Sequence, residues 1–383
     1  MRICLVYDCL FPHTVGGAER WLRSLGERLA AEGHDVTYLT LRQWPRGADP
    51  GVPGVKVIAV APSMALYGPT GRRRVLPPLV FGLGVLWHLL RHRQRYDVVH
   101  TASFPYFSLL AAALVKPFAG YRLVVDWYEV WTREYWQEYL GDFGGRVGYA
   151  IQRLCLKIPQ RALCLSSLHA RRLREEGLNG DAELIGGLYS GGHNGGGVAR
   201  PEPTVVFAGR HIPEKRVPAL IPAIARARER LPELRGQLLG DGPDREEVQQ
   251  LIHQFRLDGV VDAPGFVSDE RMRSALRSAL CLVLPSRREG YGLIVVEAAA
   301  EGVPSVVVNG PDNAATELVE EGVNGVIAAS ASADDLADAI LRIHAAGQPL
   351  RDSTEAWFER NAERLSLAHS LDAVAAAYAS ARS

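Results

Sequence analysis

Residues 285–307 read PSRREGYGLIVVEAAAEGVPSVV. An apolar run just before this segment predicts a strand, and the Gly-Tyr-Gly at 290–292 predicts a turn into a helix. Glycine lets the backbone of such a turn approach a ligand closely, and a helix start offers unpaired N–H groups to phosphate. Glu289 before the turn and Glu297 in the helix could accept hydrogen bonds from ligand hydroxyls, such as those of a ribose. Two solvated glutamates around a tight turn are the alternative.

Strand and helix patterns alternate on both sides of this segment. Short apolar or β-branched runs, such as ICLVY at 3–7 and TVVFAG at 204–209, are followed by longer helical patterns, which predicts parallel sheets covered by helices. Between them, residues 186–203 read GGLYSGGHNGGGVARPEP, a composition typical of a linker. We therefore expect an α/β fold with two parallel-sheet domains, at 1–190 and 204–350, and a linker at 191–203.

A second set of polar residues follows the predicted strand TVVFAG. Gly209, Arg210 and Lys215 lie in GRHIPEKRV, where arginine and lysine could neutralise a diphosphate. A helix cap with surface cations is the alternative. Because ligands bind beyond the carboxyl ends of parallel strands, we expect this turn and residues 285–292 to border a cleft between the two domains.

A glycine pair follows the first predicted strand. Gly16 and Gly17, in TVGGAERW, precede a helix whose start could meet a phosphate or a sugar. The spacing is not G-x-G-x-x-G, which argues against a nicotinamide-dinucleotide site.

The composition is that of an ordinary globular protein. The chain has 383 residues, 47% of them hydrophobic and 22% charged, with a formal net charge of zero. These values exclude a disordered or collagen-like chain, and the charge balance gives no global field for nucleic acid. Five cysteines without a C-x-x-C pair indicate buried thiols in a reducing compartment. We read the N-terminal MRICLVYD as a strand rather than a signal peptide.

One uncharged segment raises the question of membrane contact. Val75–Leu90 contains 16 residues and two prolines, whereas a spanning helix needs about 20 apolar residues. The segment predicts a half-buried or interfacial helix, with core packing favoured over membrane contact.

Several motifs together resemble those of a known family. EGYGLIVVE is similar to the E-x7-E motif of retaining, GT-B-fold glycosyltransferases of family 4, the group 1 sugar transferases. GRHIPEKRV resembles that family's G-R-x4-K segment, and VGGAER its N-terminal glycine loop. LLGDGPDREEV, PGFVSDERM and GVPSVVVNGPDNAATELVEEGVNG follow in the family's order. The resemblance covers essentially the whole chain and is strongest over residues 204–330. It implies two Rossmann-like domains facing a cleft, with terminal helices at 354–383 crossing back to the first domain.

The resemblance also implies roles for individual residues. Arg210 and Lys215 would stabilise the donor diphosphate, together with the helix-start amides of Gly292 and Leu293. Glu289 would bind hydroxyls of the donor sugar and Glu297 the ribose. The remaining donor-binding positions would be Gly16, Gly17, Gly209, Phe266, Val267, Gly290 and Tyr291, with the backbone around Phe266 and Val267 contacting the base.

One position departs from the family pattern. A histidine often follows a strand of the first domain near the reacting carbon, but here the run is VVDWYEVW and Tyr128 takes that place. Asp126, Tyr128 or Glu129 would then contact the acceptor or the donor sugar. An ordinary strand end with a satisfied carboxylate is the alternative, and the neighbouring aromatic residues favour core packing over a sugar platform.

The implied function is transfer of a hexose from a nucleotide-diphosphate sugar to an acceptor hydroxyl with retained configuration. It would serve the synthesis of cell-surface glycans, glycolipids or natural products. The resemblance implies no cofactor, no metal ion and no nucleic-acid partner. The acceptor could be a glycan, a lipid-linked sugar or a small molecule, and the protein would be cytoplasmic, with contact at the inner membrane face left open. A sugar-nucleotide 2-epimerase and a non-catalytic sugar-nucleotide binder are the alternatives.

Overall fold

The computed structural model describes residues 1–68, 73–191 and 201–380. Most of the predicted linker, residues 192–200, lies outside the described residues. The chain divides into two compact units: the first runs to Leu188 and resumes at Leu367, and the second spans Tyr189–Ser366.

The first unit contains a parallel sheet of seven described strands. The strands are β1 (Arg2–Val6), β2 (Asp35–Leu41), β3 (Lys56–Ala61), β4 (Val98–Ala102), β5 (Arg122–Asp126), β6 (Arg161–Cys164) and β7 (Ala182–Leu184). Their order across the sheet is β3-β2-β1-β4-β5-β6-β7. Strands such as β4 are buried on both faces because helices cover the sheet on both sides. The helices are α1 (Gly17–Ala31), α2 (Leu76–Arg91), α3 (Phe107–Ala119), α4 (Arg133–Leu156) and α5 (Ser167–Glu175).

The second unit repeats this architecture with six described strands. They are β8 (Thr204–Ala208), β9 (Arg235–Leu239), β10 (Val261–Gly265), β11 (Cys281–Leu284), β12 (Ser305–Val308) and β13 (Gly325–Ala328), in the order β10-β9-β8-β11-β12-β13. The helices are α6 (Leu220–Arg228), α7 (Arg245–Gln254), α8 (Asp269–Ser278), α9 (Leu293–Ala300) and α10 (Ala333–Leu365). The prediction of two parallel-sheet, Rossmann-like domains is confirmed.

Strand order reverses direction once in each sheet, between β1 and β4 and between β8 and β11. At such a switch point the loops on neighbouring strands leave toward opposite sides and open a crevice at the carboxyl edge. The crevice of the second sheet is therefore bordered by the loops after β8 and β11, which contain both motifs singled out in the sequence.

The C-terminal helix α11 (Leu367–Ser380) returns to the first unit. Val374 and Tyr378 are fully buried in that unit's core. The Ser370 hydroxyl donates to the Gly187 carbonyl at 2.5 Å.

The return begins later than the sequence placed it. Residues 354–365 continue α10 in the second unit, where Trp357 and Phe358 are buried. Gly347, at a φ of 58°, is non-helical and divides α10 into two helical segments that meet at a kink. The assignment of 354–366 to the first domain therefore differs from the contacts, which keep these residues with the second unit.

Two further features bear on the compartment and on membranes. The five cysteines are all free and buried. Among the described helices, none combines the length and apolar character that crossing a membrane would require.

Candidate functional site

A partly buried ion pair joins the two sequence motifs of the second unit. The Lys215 ammonium donates to Glu289 Oε1 at 2.5 Å, and the Ser286 hydroxyl donates to the same oxygen at 2.7 Å. Lys215 ends a short 3-10 helix after β8, and Glu289 lies in the loop after β11. The Arg287 amide donates to the Glu214 carbonyl at 2.8 Å and holds the two loops together. The structure thus brings two predicted catalytic residues into direct contact at the switch point.

The turn at Gly292 accepts only glycine. Its φ is 100°, in the left-handed region, and a Cβ built there would lie 2.7 Å from the Ala315 Cβ. Gly292 is the N-cap of α9, and its carbonyl accepts from the Val295 amide at 2.9 Å. The Leu293 amide, one of the first N–H groups of α9, has no partner within the helix, because intrahelical bonds begin only after the first turn. An anion could therefore be bound at this helix start.

The remaining predicted donor residues lie around the same edge of the sheet. Arg210 is exposed directly after β8, and Gly209 packs against Gly240, whose added Cβ would lie 1.8 Å from the Gly209 carbonyl oxygen. Phe266 follows β10 and is 71% exposed, an unusual state for a phenylalanine and one that leaves its ring available to a planar base. Val267 is half-buried beside it.

Within the E-x7-E motif, the first two residues after Glu289 differ in exposure. Gly290 is half-buried, whereas Tyr291 is buried and its hydroxyl has no hydrogen-bond partner among the described residues. Burial raises the pKa of that phenol above its ordinary value. Glu297 is half-buried on α9. These positions bring the predicted donor residues of the second unit to one edge of its sheet, and their contacts with a donor stay a prediction.

Sequence reasoning missed two supports of this site. Asn313 is 1% exposed, and its side-chain amide donates to the Ser286 carbonyl at 3.2 Å, while the Glu289 carbonyl accepts from the Ala314 amide at 3.0 Å. Arg288 is also buried and lies 3.4 Å from Asp312. No local pattern identifies these partners, because the loop after β12 meets the loop after β11 only in the folded sheet.

His211 is a third residue that the motif reading passed over. It lies inside GRHIPEKRV, is fully buried, and neither ring nitrogen has a hydrogen-bond partner among the described residues. Burial lowers the pKa of this imidazole, with Arg245 adding to the effect and Asp241 opposing it. The ring is therefore neutral at pH 7.

In the first unit, Asp126 is the centre of a buried hydrogen-bond network. Its Oδ2 accepts from the Trp21 indole at 2.8 Å and from the Tyr128 hydroxyl at 3.1 Å. Its Oδ1 lies 3.0 Å from His100 Nε2, and His100 Nδ1 lies 2.5 Å from the Tyr378 hydroxyl. The network joins α1, β4, β5 and the returning helix α11.

This network gives the predicted acceptor residues different places. Asp126 is 1% exposed; its Oδ2 accepts two hydrogen bonds, whereas its Oδ1 lies beside His100 without a hydrogen-bond partner among the described residues, so the strand-end carboxylate is only partly satisfied by protein groups. Burial and the Asp126 charge raise the pKa of the Tyr128 phenol well above its ordinary value, so the hydroxyl stays protonated and donates. Glu129 accepts from the Trp131 indole at 2.8 Å. Tyr128 and Glu129 are only half-buried and could still contact a ligand.

The predicted glycine loop of the first unit precedes α1. Gly16 is the N-cap, in extended backbone, and an added Cβ would lie 2.3 Å from a Glu19 carboxylate oxygen, whereas Gly17 has open space. In the preceding loop, Asp8 forms a buried ion pair with Arg73 that sequence reasoning did not anticipate. In the part of the chain that the structure describes, no cluster of three or more His, Cys, Asp or Glu side chains suits a metal ion.

Two family models match the chain, one for each unit. The model described as "Glycosyl transferases group 1" matches residues 194–361, and "Glycosyl transferase 4-like domain" matches residues 16–185. Together they span nearly the whole sequence, each over the unit that the fold defines.

Individual relatives are similar over different lengths. The alpha-D-kanosaminyltransferase of Streptomyces kanamyceticus is 32% identical over 143 residues, which cover 37% of this chain and 36% of that enzyme. The similarity therefore spans only about a third of that relative's length. The MMP alpha-(1->4)-mannosyltransferase of Mycolicibacterium hassiacum is 27% identical over 371 residues, which cover 83% of this chain and 85% of that enzyme.

A solved structure has the same fold over the full chain. Sucrose-phosphate synthase from Thermosynechococcus elongatus superposes with a TM-score of 0.80 at 20% identity, covering 99% of this chain and 98% of that one. This likeness shows that the fold is GT-B.

Proposed function

Because the chain belongs to the group 1 glycosyltransferases, with the GT-B fold of family 4, we propose that it transfers a hexose from a nucleotide-diphosphate sugar to an acceptor hydroxyl. The observation that carries this proposal is the arrangement around Lys215, Glu289 and Gly292. A cation, a buried carboxylate and a helix start meet at the switch point of a parallel sheet. We assign the donor to the second unit and the acceptor to the first.

The diphosphate is the leaving group, and negative charge grows on it as the bond to the sugar breaks. In our proposal Arg210 and Lys215 and the helix-start amides of Gly292 and Leu293 meet that charge. Lys215 and the helix start are held in place before the donor binds, since Lys215 is fixed by Glu289 and the turn by its glycine. We propose that they supply the positive charge that a metal ion provides in other transferases.

The donor's neutral groups need hydrogen-bond acceptors and an apolar face. Glu289 keeps one carboxylate oxygen on Lys215 and Ser286, and we propose that the other accepts from sugar hydroxyls. Glu297 would accept from the ribose. The exposed Phe266 would lie against the base.

We further propose that the anomeric configuration is retained. The Asp126 carboxylate beside Tyr128 is buried, and its Oδ2 accepts from Trp21 and Tyr128, so we do not assign it as a covalent nucleophile. We propose that the acceptor hydroxyl attacks the sugar from the face that the diphosphate leaves, and that the departing phosphate accepts the hydroxyl proton. This route needs no protein nucleophile. Tyr128 and Glu129 are the proposed contacts to the acceptor or the donor sugar.

The compartment is part of the proposal. We propose a cytoplasmic protein, because its five buried cysteines stay free, as expected in a reducing environment. An assay with different acceptors identifies the acceptor class, which is a glycan, a lipid-linked sugar or a small molecule in our proposal.

A turnover assay tests the proposal. The purified full chain is first screened by thermal shift against UDP- and GDP-hexoses, since a ligand that binds the native state stabilises it. Each donor that stabilises it is then followed by NMR with and without acceptor sugars. The proposal is supported if the sugar is transferred and the coupling constant of its anomeric proton shows the same configuration in the product as in the donor. Epimerised donor without acceptor would indicate a 2-epimerase, and donor binding without any reaction a non-catalytic binder.

Matched lysine variants locate the activity. Lys215→Ala should lower kcat/KM by about a hundredfold or more, because one preorganised charge is removed from the leaving group. Lys157→Ala, which removes an exposed lysine after α4, should leave activity unchanged. Full activity in both Lys215→Ala and Glu297→Gln would overturn the site assignment.

A further inference from the structure

Helix α2 is apolar on both of its faces. Its inward face packs Phe81, Val85 and Leu89 into the core of the first unit. The opposite face carries Leu76, Leu79, Leu83, Trp87 and Leu90, all exposed and spaced three or four residues apart, which we call the α2 stripe. Leu83 and Trp87 are 66% and 67% exposed. A surface helix normally presents polar residues to water, so an outward apolar stripe indicates a second apolar partner.

The neighbouring helix extends this surface. Helix α3 packs beside α2, and Gly82 allows the close approach, because an added Cβ would lie 2.6 Å from the Phe107 Cβ. One turn apart on α3, Leu114 and Phe118 are 64% and 70% exposed. The apolar surface therefore spans two adjacent helices.

The charges along the stretch of sequence that contains these helices are almost all positive. The sequence from residue 50 to residue 125 contains nine lysines or arginines and a single acidic residue, Asp97, although the whole chain has a net charge of zero. Asp97 is itself paired with Arg2 at 2.7 Å. Exposed arginines lie at both ends of the α2 stripe, Arg74 before the helix and Arg91 and Arg93 at its end.

We propose that the α2 stripe, with Leu114 and Phe118 of α3, lies on the surface of an anionic phospholipid bilayer. Leucine and tryptophan side chains would enter the boundary between headgroups and acyl chains, while the flanking arginines meet lipid phosphates. A second copy of the chain is disfavoured as the occupant, because pairing this surface with itself would bring two arginine-rich rims together. The inference does not depend on the proposed transfer reaction.

Vesicle binding tests the proposal directly. The full chain is mixed with vesicles of phosphatidylcholine alone or of phosphatidylcholine with phosphatidylglycerol, and bound protein is measured by flotation. We expect binding to the anionic vesicles only, weakened by added salt. Tryptophan emission should shift to the blue on binding, and Trp87→Phe should remove most of that shift.

Matched variants separate the α2 stripe from apolar exposure in general. The double variant Leu83→Ser/Trp87→Ser should weaken binding at least about tenfold, since it removes two side chains that would be buried in lipid. The control, Phe143→Ser/Leu154→Ser, removes two exposed apolar side chains of α4 and should bind as the wild type does. Arg91→Ser/Arg93→Ser should reduce binding and its salt dependence, unlike Arg230→Ser/Arg360→Ser in the second unit.

Three results would overturn the proposal. The first is absence of binding to the anionic vesicles. The second is an equal loss in the α2 and α4 variants. The third is a concentration-dependent dimer that Leu83→Ser/Trp87→Ser dissociates, which would assign the stripe to a second copy. Donor-induced thermal shifts, measured on every variant, show that the fold and the donor site are intact and keep this test separate from that of the proposed function.

Discussion

Replacing Trp21 by phenylalanine should destabilise the first unit more than an ordinary tryptophan truncation does. The indole N–H of Trp21 donates to the buried carboxylate of Asp126 at 2.8 Å. Loss of a hydrogen bond to a charged group costs about 1.5–3 kcal/mol, and the smaller ring adds about 1 kcal/mol of lost packing. We therefore expect Trp21→Phe to lower the free energy of unfolding by about 2.5–4 kcal/mol.

Trp136→Phe is the matched control. Trp136 is also buried, but its indole donates to the neutral amide oxygen of Gln152 at 3.1 Å. That oxygen keeps the Tyr106 hydroxyl at 3.0 Å as a donor, so the variant should cost only about 2 kcal/mol. Urea unfolding, read by circular dichroism and by hydrogen exchange of the β5 amides, isolates the first unit's transition. An equal cost for both variants would refute the view that Asp126 is a charged centre of this network.

Three further predictions concern other parts of the molecule. Gly292→Ala should destabilise the second unit by about 2–3 kcal/mol in urea unfolding, because the new side chain would need a positive φ and would overlap Ala315. Gly17→Ala is the control and should change stability little, because the space around Gly17 is open. In a double-mutant cycle of unfolding free energies, Lys215→Met and Glu289→Gln should couple by about 1–2 kcal/mol, and additive costs would contradict the ion pair. Burial lowers the pKa of His88 to about 4. The neutral imidazole therefore contributes stability above the unfolded-state pKa of about 6.5, and this contribution is lost as the pH falls to 4. In pH-dependent unfolding, His88→Gln should make the loss of stability on acidification smaller by about 2 kcal/mol, a value that allows for partial solvent screening.

The sequence predicted the architecture well because its signals are local. Apolar runs such as TVVFAG correspond to β8, and Gly292 marks the start of α9. The end of the second domain was less predictable, because Gly347 and Pro349 suggest a helix end. The second segment of α10 instead buries Trp357 in the second unit, and no local pattern tells which core receives a buried tryptophan.

The site was predictable in its residue types but not in its pairings. Lys215 and Glu289 were both singled out, yet their direct contact joins two loops far apart in sequence and depends on the strand order. Asp126 was one of three candidates for contact with a ligand, beside the alternative of an ordinary strand end. Its neighbours Trp21 and His100 come from other elements of the fold, so only the structure could show that Oδ2 accepts hydrogen bonds from protein groups.

The central claim is that the second unit binds a diphosphate at the carboxyl edge of its sheet. Calorimetric titration of UDP against UMP, and of GDP against GMP, tests it on the wild type and on Lys215→Met. For the nucleotide that binds, we predict that the diphosphate binds at least about tenfold more tightly than the monophosphate, and that Lys215→Met removes most of this difference. Equal affinity for the two forms in the wild type, or an unchanged difference in the variant, would contradict the account.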